Sequence, residues 1–167
     1  MISFSFIIIE SELIDRQKEG LFFTKYELHL KDKSHIFPVT NASFNKTGSL
    51  LVIGSHDRTA KVIDTQTGSI KFKLSEHKNV VFTAVFNTPF NDKIITGSFD
   101  KTMRVWDAEN GNLLRTYICP SEVLSLGINQ KNANLVACGC YAGECIVWDI
   151  IENREVASLL VCSLVSS

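Results

Sequence analysis

A short pattern of alternating apolar and polar residues, preceded by a tight turn, occurs three times along the chain. Its fullest version covers residues 97–107, where Gly-Ser and an Asp-Lys turn lead into Met103, Val105 and a terminal Trp-Asp pair. Successive side chains of a β-strand point to opposite faces, so this pattern predicts a turn followed by a half-buried strand. Related segments stand at 54–64 and, with more substitutions, at 139–149.

The aspartates that end these segments recur at intervals of 43 and 42 residues. A fixed period near 40 residues with a Trp-Asp pair is typical of β-propeller blades, each built from four short strands. The alternation and the turns between segments predict twelve strands and no crossover helices. The predicted strands are 38–44, 49–54, 59–64, 69–74, 80–87, 92–97, 102–107, 112–118, 123–128, 134–139, 144–149 and 154–160.

The recurring Gly-Ser, turn Asp, Trp-Asp and preceding His resemble the WD-repeat (WD40) family over roughly residues 37–160. The resemblance implies an all-β fold of three four-stranded antiparallel blades, at about 37–75, 79–118 and 122–160. Propellers generally contain about four to eight blades, so three blades predict an incomplete, open ring.

The sequence also divides into a propeller region and two segments outside it. Residues 1–24 are a non-repeat lead, and the partial propeller occupies 25–160, with a further alternating strand predicted at 25–31. Residues 161–167 form an apolar and serine tail without a repeat signature. An open ring exposes sheet surfaces, which predicts self-association or completion of the ring by another chain.

One set of polar residues in the middle repeat matches the hydrogen-bonded tetrad of WD-repeat blades: His77, Thr96, Asp100 and Trp106. A buried indole N–H needs an acceptor, and a threonine hydroxyl can continue the bond to a histidine held by an aspartate. An alternative interpretation is a catalytic triad of Ser98, His77 and Asp100. Ser98 leads into a hairpin rather than a strand-to-helix elbow, so the structural interpretation is favoured.

The flanking repeats keep only part of this set, namely His35 and Asp57 in the first repeat and Trp148 in the third. Their other equivalent positions hold residues that cannot form the same bonds: Ile53 and Ile63 in the first repeat, and Pro120, Cys138 and Ala142 in the third. The flanking blades are therefore expected to depend on apolar packing and to be softer than the middle blade.

Composition and charge exclude several classes of function. The 17 basic and 18 acidic residues are interspersed, which gives no basic face for nucleic acid. No apolar run approaches the length that spans a bilayer, and the apolar residues 1–9 lack the basic flank of a signal peptide. The five cysteines are odd in number and without metal-site spacing, which predicts reduced, buried thiols in the cytoplasm and no metal or cofactor.

A closer resemblance within the family lies in the first two repeats, at 35–41, 44–48, 77–81 and 86–94, and fades after Trp106. These segments are similar to the WD-repeat axonemal dynein assembly factors of cilia. The resemblance implies a non-enzymatic interaction scaffold in the cytoplasm or cilium, with axonemal dynein or transport subunits as partners. The alternative is a generic WD40 adaptor of a ubiquitin ligase or RNA-processing complex. No carboxylate cluster, metal spacing or phosphate loop supports an enzyme.

Overall fold

The computed structural model describes residues 37–160, which form three antiparallel sheets of four strands each. Strands that follow each other in sequence are neighbours within each sheet. The first sheet contains β1 Val39–Phe44, β2 Leu50–Ser55, β3 Ala60–Asp64 and β4 Ile70–Leu74. The second contains β5 Val81–Phe86, β6 Lys93–Ser98, β7 Thr102–Asp107 and β8 Leu113–Ile118. The third contains β9 Val123–Ile128, β10 Leu135–Cys140, β11 Glu144–Asp149 and β12 Arg154–Leu160.

The prediction of an all-β fold with three antiparallel blades in an open arc is confirmed. Each of the twelve strands begins and ends within one residue of its predicted position. The predicted lead 1–24, the strand at 25–31, His35 and the tail 161–167 lie outside the described residues. None of residues 37–160 belongs to a helix that is long and apolar enough to cross a membrane.

The turn between the second and third strands has the same construction in the first two blades. Arg58 and Lys101 adopt left-handed backbone conformations there, with φ of 67° and 62°. The preceding aspartate stabilises each turn, because its Oδ1 accepts the backbone N–H two residues later, from Thr59 in one blade and Thr102 in the other. This turn presents the aspartate of each repeat at the same end of its blade.

Two apolar cores join the three blades in series. The faces of the first and second blades meet in one cluster, which includes Val52, Val62, Leu74, Val81, Phe86 and Trp106. The second and third blades share another, which includes Ile95, Met103, Val105, Tyr117, Val123 and Val136. The middle blade therefore buries both of its faces against other blades, and its strands β6 and β7 are almost fully buried.

Candidate functional site

The structure brings the four predicted tetrad residues of the middle blade into one hydrogen-bonded chain. The Trp106 indole N–H donates to Thr96 Oγ1 at 2.8 Å. Thr96 Oγ1 lies 2.7 Å from His77 Nε2, and His77 Nδ1 lies 2.9 Å from Asp100 Oδ2. With the imidazole proton on Nδ1, each donor in this chain meets an acceptor. The chain links the β4–β5 connection, β6, the β6–β7 turn and β7.

The Asp100 carboxylate is held in its ionised form. Burial favours the neutral carboxyl, but hydrogen bonds from His77 and Thr102 outweigh it and keep the pKa of Asp100 well below its usual range. Thr102 Oγ1 donates to Oδ1 at 2.6 Å, and the backbone N–H of Lys78 donates to Oδ2 at 2.9 Å. Asp100 therefore holds the turn that contains it against the β4–β5 connection.

Ser98 takes part in the same turn, and within residues 37–160 it forms no hydrogen bond with His77. Its hydroxyl donates to the Asn79 carbonyl at 3.1 Å and accepts the Asp100 backbone N–H at 3.0 Å. The hydroxyl proton is therefore directed to a main-chain carbonyl, whereas a serine nucleophile needs a base as its acceptor. This arrangement supports a structural role for the polar residues of the turn.

The third blade places Trp148 at the equivalent position, but Cys138 replaces the threonine that would accept from its indole. Within residues 37–160, the buried Nε1 of Trp148 has no hydrogen-bond acceptor. The Cys138 sulfur lies 3.2 Å from the Met103 sulfur in the neighbouring blade. The Trp148 ring packs against Tyr117 with ring centroids 5.0 Å apart. Packing across the interface between blades takes the place of the polar chain here.

The first blade combines a polar turn with an apolar interior. Asp57 Oδ1 accepts the Thr59 hydroxyl at 2.6 Å, which repeats the Asp100–Thr102 contact of the middle blade. Ile53 and Ile63, at the positions of the threonine and tryptophan, are buried in an apolar cluster with Leu51.

A cleft of about 450 Å³ opens beside the His77–Asp100 pair, between the β2–β3 turn and the β4–β5 connection. Three exposed cations line it, Arg58, Lys73 and Lys78, together with the single carboxylate of Asp57. Within residues 37–160, none of these three cations forms an ion pair with a carboxylate. The lining of the cleft is therefore electropositive and favours an anionic group.

Sequence reasoning did not identify these three cations as a group. Arg58 lies in a turn, Lys73 lies near the end of β4, and Lys78 follows His77, so no regular spacing marks them as neighbours. The sequence marks two of them, through their positions within the repeats. Arg58 follows the turn aspartate of the first repeat and Lys78 follows the histidine of the second, and the blade fold brings such turns and connections to one end.

The cysteines lie mainly in the core between the second and third blades, where Cys119, Cys138 and Cys140 are buried. A hydrogen bond from Cys138 lowers the pKa of the Cys119 thiol, whereas burial and the nearby Cys119 raise the pKa of Cys140 to about 12. Cys145 is half-buried on the opposite face of the third blade. Across residues 37–160, no group of three or more potential ligands is arranged to hold a metal ion.

Comparisons with known proteins point to one repeat family. The family model described as "WD domain, G-beta repeat" matches residues 27–64 and 68–107. Dynein assembly factor with WD repeat domains 1 from Danio rerio is 44% identical over 70 residues, which are 42% of this chain and 17% of that protein. The Mus musculus protein of that name is 50% identical over 62 residues, 37% of this chain and 15% of that protein.

A third relative aligns over more of the chain at lower identity. COMPASS component SWD3 from Saccharomyces cerevisiae is 38% identical over 137 residues, which are 76% of this chain and 43% of that protein. The chain thus spans about a sixth of the length of the dynein assembly factors that it matches. The matched repeats and the three four-stranded antiparallel blades lead to the same conclusion: this chain carries repeats of the WD40 family.

Proposed function

We propose that this chain is a non-enzymatic scaffold that binds other proteins, and that the cleft between the first and second blades is one of its binding sites. The observation that carries this proposal is the set of three exposed cations, Arg58, Lys73 and Lys78, around one concave opening. A rigid scaffold that presents loops is a common basis for protein recognition. The acidic residue Asp57 offsets only part of the positive charge.

The proposed occupant of the cleft is an acidic segment of a partner protein. Its walls are fixed before binding, because Asp57 holds its own turn and Asp100 holds the backbone of Lys78. A preformed site loses less conformational entropy when a ligand binds. The long side chains of Arg58, Lys73 and Lys78 can each reach a carboxylate of an extended peptide.

The finer proposal is that the partners are axonemal dynein or transport subunits, in the cytoplasm or cilium. Its support is the similarity of 42% and 37% of this chain to proteins named dynein assembly factors. The alternative is an adaptor subunit of another multiprotein complex, of the ubiquitin-ligase or RNA-processing type. The alignment with a COMPASS component supports this alternative, since it covers 76% of this chain.

Affinity capture from ciliated cells distinguishes these partner classes. The full chain is tagged and captured beside a charge-reversed form, Arg58→Glu, Lys73→Glu and Lys78→Glu. A matched control carries the same number of reversals at exposed cations outside the cleft: Lys46→Glu, Arg115→Glu and Lys131→Glu. Quantitative mass spectrometry then compares the captured proteins.

The expected result is capture of axonemal dynein or transport subunits by the wild type and the control, with loss in the cleft variant. Capture of ligase or RNA-processing subunits in their place would support the alternative partner class. Equal capture by all three forms would contradict the role of the cleft. Fluorescence anisotropy with a labelled oligoglutamate peptide tests the cleft directly, since binding there must weaken as salt rises.

A further inference from the structure

The first strand of every blade bulges at its second residue, where the register with the next strand skips one position. The bulged residues are Thr40 in β1, Phe82 in β5 and Leu124 in β9. A bulge bends the strand and redirects the side chain of the extra residue. Each blade therefore turns one side chain out of the regular alternation at the start of its first strand.

The turn between the second and third strands brings a further residue close to each bulge. These turn residues follow β2, β6 and β10 directly and are His56, Phe99 and Tyr141. Their backbone N–H groups donate, at 3.1, 3.0 and 2.8 Å, to the carbonyls of Pro38, Val80 and Glu122. Each of these carbonyls belongs to the residue just before a first strand, two positions from the bulged residue.

Among the three blades, only the middle one has phenylalanine at both positions. The rings of Phe82 and Phe99 stack almost in parallel, with centroids 5.2 Å apart and an angle of 9° between their planes. The first blade has Thr40 and His56 there, and the third has a leucine and a tyrosine. Both phenylalanines are half-buried, and neither belongs to an apolar cluster described within residues 37–160. The stacked pair is therefore an aromatic surface outside the cores.

This aromatic surface adjoins the cationic cleft. Val80, whose carbonyl accepts the Phe99 N–H, follows Lys78 of the cleft by two residues, so their Cα atoms are at most about 7 Å apart. Asp100, next to Phe99 in the chain, accepts the Lys78 backbone N–H at 2.9 Å. The hydrogen bonds that fix one wall of the cleft therefore also fix the turn that carries Phe99. An extended peptide leaving the cleft past Lys78 reaches the rings within about three residues.

The charges beside the rings favour an uncharged side chain as their ligand. An aromatic face can also attract an ammonium or guanidinium group. Arg58, Lys73 and Lys78 make the adjoining cleft positive, which opposes the approach of such a cation. The nearby Asp100 carboxylate already accepts hydrogen bonds from donors of its own blade and its preceding connection. A neutral aromatic side chain is therefore the group that suits both the rings and the cleft.

We propose that Phe82 and Phe99 form an aromatic subsite of the cleft, which receives an aromatic side chain of the acidic segment bound by the three cations. This subsite depends on the function proposed for the cleft, and it adds a requirement: the partner carries an aromatic residue within about three residues of its acidic ones. Aromatic rings pair in offset-stacked or edge-to-face arrangements, which the two half-buried rings leave room for. The acidic residues supply attraction that salt screens, and the ring adds contact that salt does not screen.

Two labelled peptides test the subsite by fluorescence anisotropy with the full chain at pH 8. Both have three central glutamates with two glycines on each side. One ends in phenylalanine at both termini and the other in alanine, so a ring can reach the subsite in either chain direction.

The variants exchange residues at positions where the chain itself shows that the exchange is tolerated. Phe82→Thr combined with Phe99→His gives the middle blade the residues of the first blade, Thr40 and His56, and histidine is neutral at pH 8. Phe90→Thr is the matched control, because it removes a phenylalanine that is 63% exposed in the β5–β6 turn, at the opposite end of β6. Thermal unfolding checks that each variant is folded.

The wild type is expected to bind the phenylalanine peptide severalfold more tightly than the alanine peptide, and this ratio should persist as salt rises. The variant with Phe82→Thr and Phe99→His should lose the preference, whereas Phe90→Thr should keep it. Equal affinity of the wild type for both peptides would overturn the subsite. A preference that survives in the double variant, or is lost equally in Phe90→Thr, would also overturn it.

The charge-reversed cleft variant separates failure of the subsite from failure of the cleft. If reversal abolishes binding of the alanine peptide while the wild type shows no preference for phenylalanine, the cleft is supported and the subsite is overturned. If the alanine peptide binds the wild type and the charge-reversed variant equally, the cleft is contradicted, and the subsite fails with it.

Discussion

The hydroxyl of Thr96 connects two rings within the middle blade, since it lies between the Trp106 indole and the His77 imidazole. Both rings are buried, as is Thr96 itself, so neither ring nitrogen could form a hydrogen bond with water if this hydroxyl were lost. Thr96→Val preserves shape while removing the hydroxyl. We expect it to lower the free energy of unfolding by about 1–3 kcal/mol, the cost of leaving a buried polar group unpaired. Denaturant unfolding measures this loss.

The same substitution at Thr83 provides the control for Thr96→Val. Thr83 is buried in the same sheet, and no side-chain hydrogen bond of Thr83 is found within residues 37–160. Thr83→Val should therefore change the unfolding free energy much less. Similar losses for the two variants would show that the hydroxyl chain has no special importance for stability.

Asp100 links the stability of the middle blade to pH. Hydrogen bonding holds its pKa below the usual value of about 4, despite burial. A carboxyl whose pKa is lowered by folding stabilises the folded state fully above its unfolded pKa, and that contribution is lost as the pH falls towards its folded pKa. Acidification below about pH 4 should therefore destabilise the wild type more steeply than Asp100→Asn. Urea midpoints across an acid pH series compare the two, and parallel profiles would contradict this role.

The blades differ in how their strands are held together, which predicts an order of opening. The middle blade has a complete polar chain and both faces buried. In the third blade the Trp148 N–H has no acceptor among residues 37–160, and the outer strand β12 is exposed. Local opening requires less free energy where few contacts are broken. Backbone amides of β6 and β7 should therefore exchange hydrogen more slowly than those of β10 and β11. Mass-resolved hydrogen exchange that shows the reverse order would contradict this prediction.

The strands could be predicted because each carries its own local evidence. Alternating residues such as Met103 and Val105 mark a strand, and glycines such as Gly48 and Gly111 mark the turns with left-handed backbone. The cationic cleft could not be predicted in this way. Arg58 and Lys73 become neighbours only when β3 and β4 pair and bring the ends of a turn and a strand together.

The contacts between blades were also absent from the sequence interpretation. Gly97 was predicted to lie in a strand, but its role between blades was not: a Cβ atom added there would lie 2.5 Å from Val123 Cγ1 of the third blade. The absence of a tetrad in the third blade was readable from Cys138, whereas its packing on Tyr117 depends on the neighbouring blade.

At the scale of the whole molecule, the arc is stabilised through two interfaces in series. The first and third blades each meet the middle blade through one apolar core. Repeat proteins of this kind derive stability from each unit and from contacts between neighbours. A change in the middle blade therefore affects both interfaces, while a change in the third blade affects one. This asymmetry is consistent with placing the complete polar chain in the middle.

The outer strand of the third blade is less well protected against pairing with another chain than the outer strands of the other two blades. The outer strand β4 carries Lys71 and Lys73, and β8 carries Arg115 near its middle. In β12 the charged residues are confined to its start, and Leu159 and Leu160 are 59% and 67% exposed near its end. Charged side chains on edge strands hinder pairing with other chains, and β12 lacks them over its last five residues.

We therefore expect the chain to self-associate through β12 as its concentration rises. Sedimentation velocity should show a sedimentation coefficient that increases with concentration for the wild type. Leu159→Lys adds to β12 the kind of charge that β4 and β8 already carry, and it should shift the distribution towards monomer. Leu114→Lys is the matched control, because it changes an exposed leucine on β8, where Arg115 already stands. A wild-type chain that remains monomeric at all concentrations, or equal effects of the two substitutions, would show that the edge of β12 does not drive association.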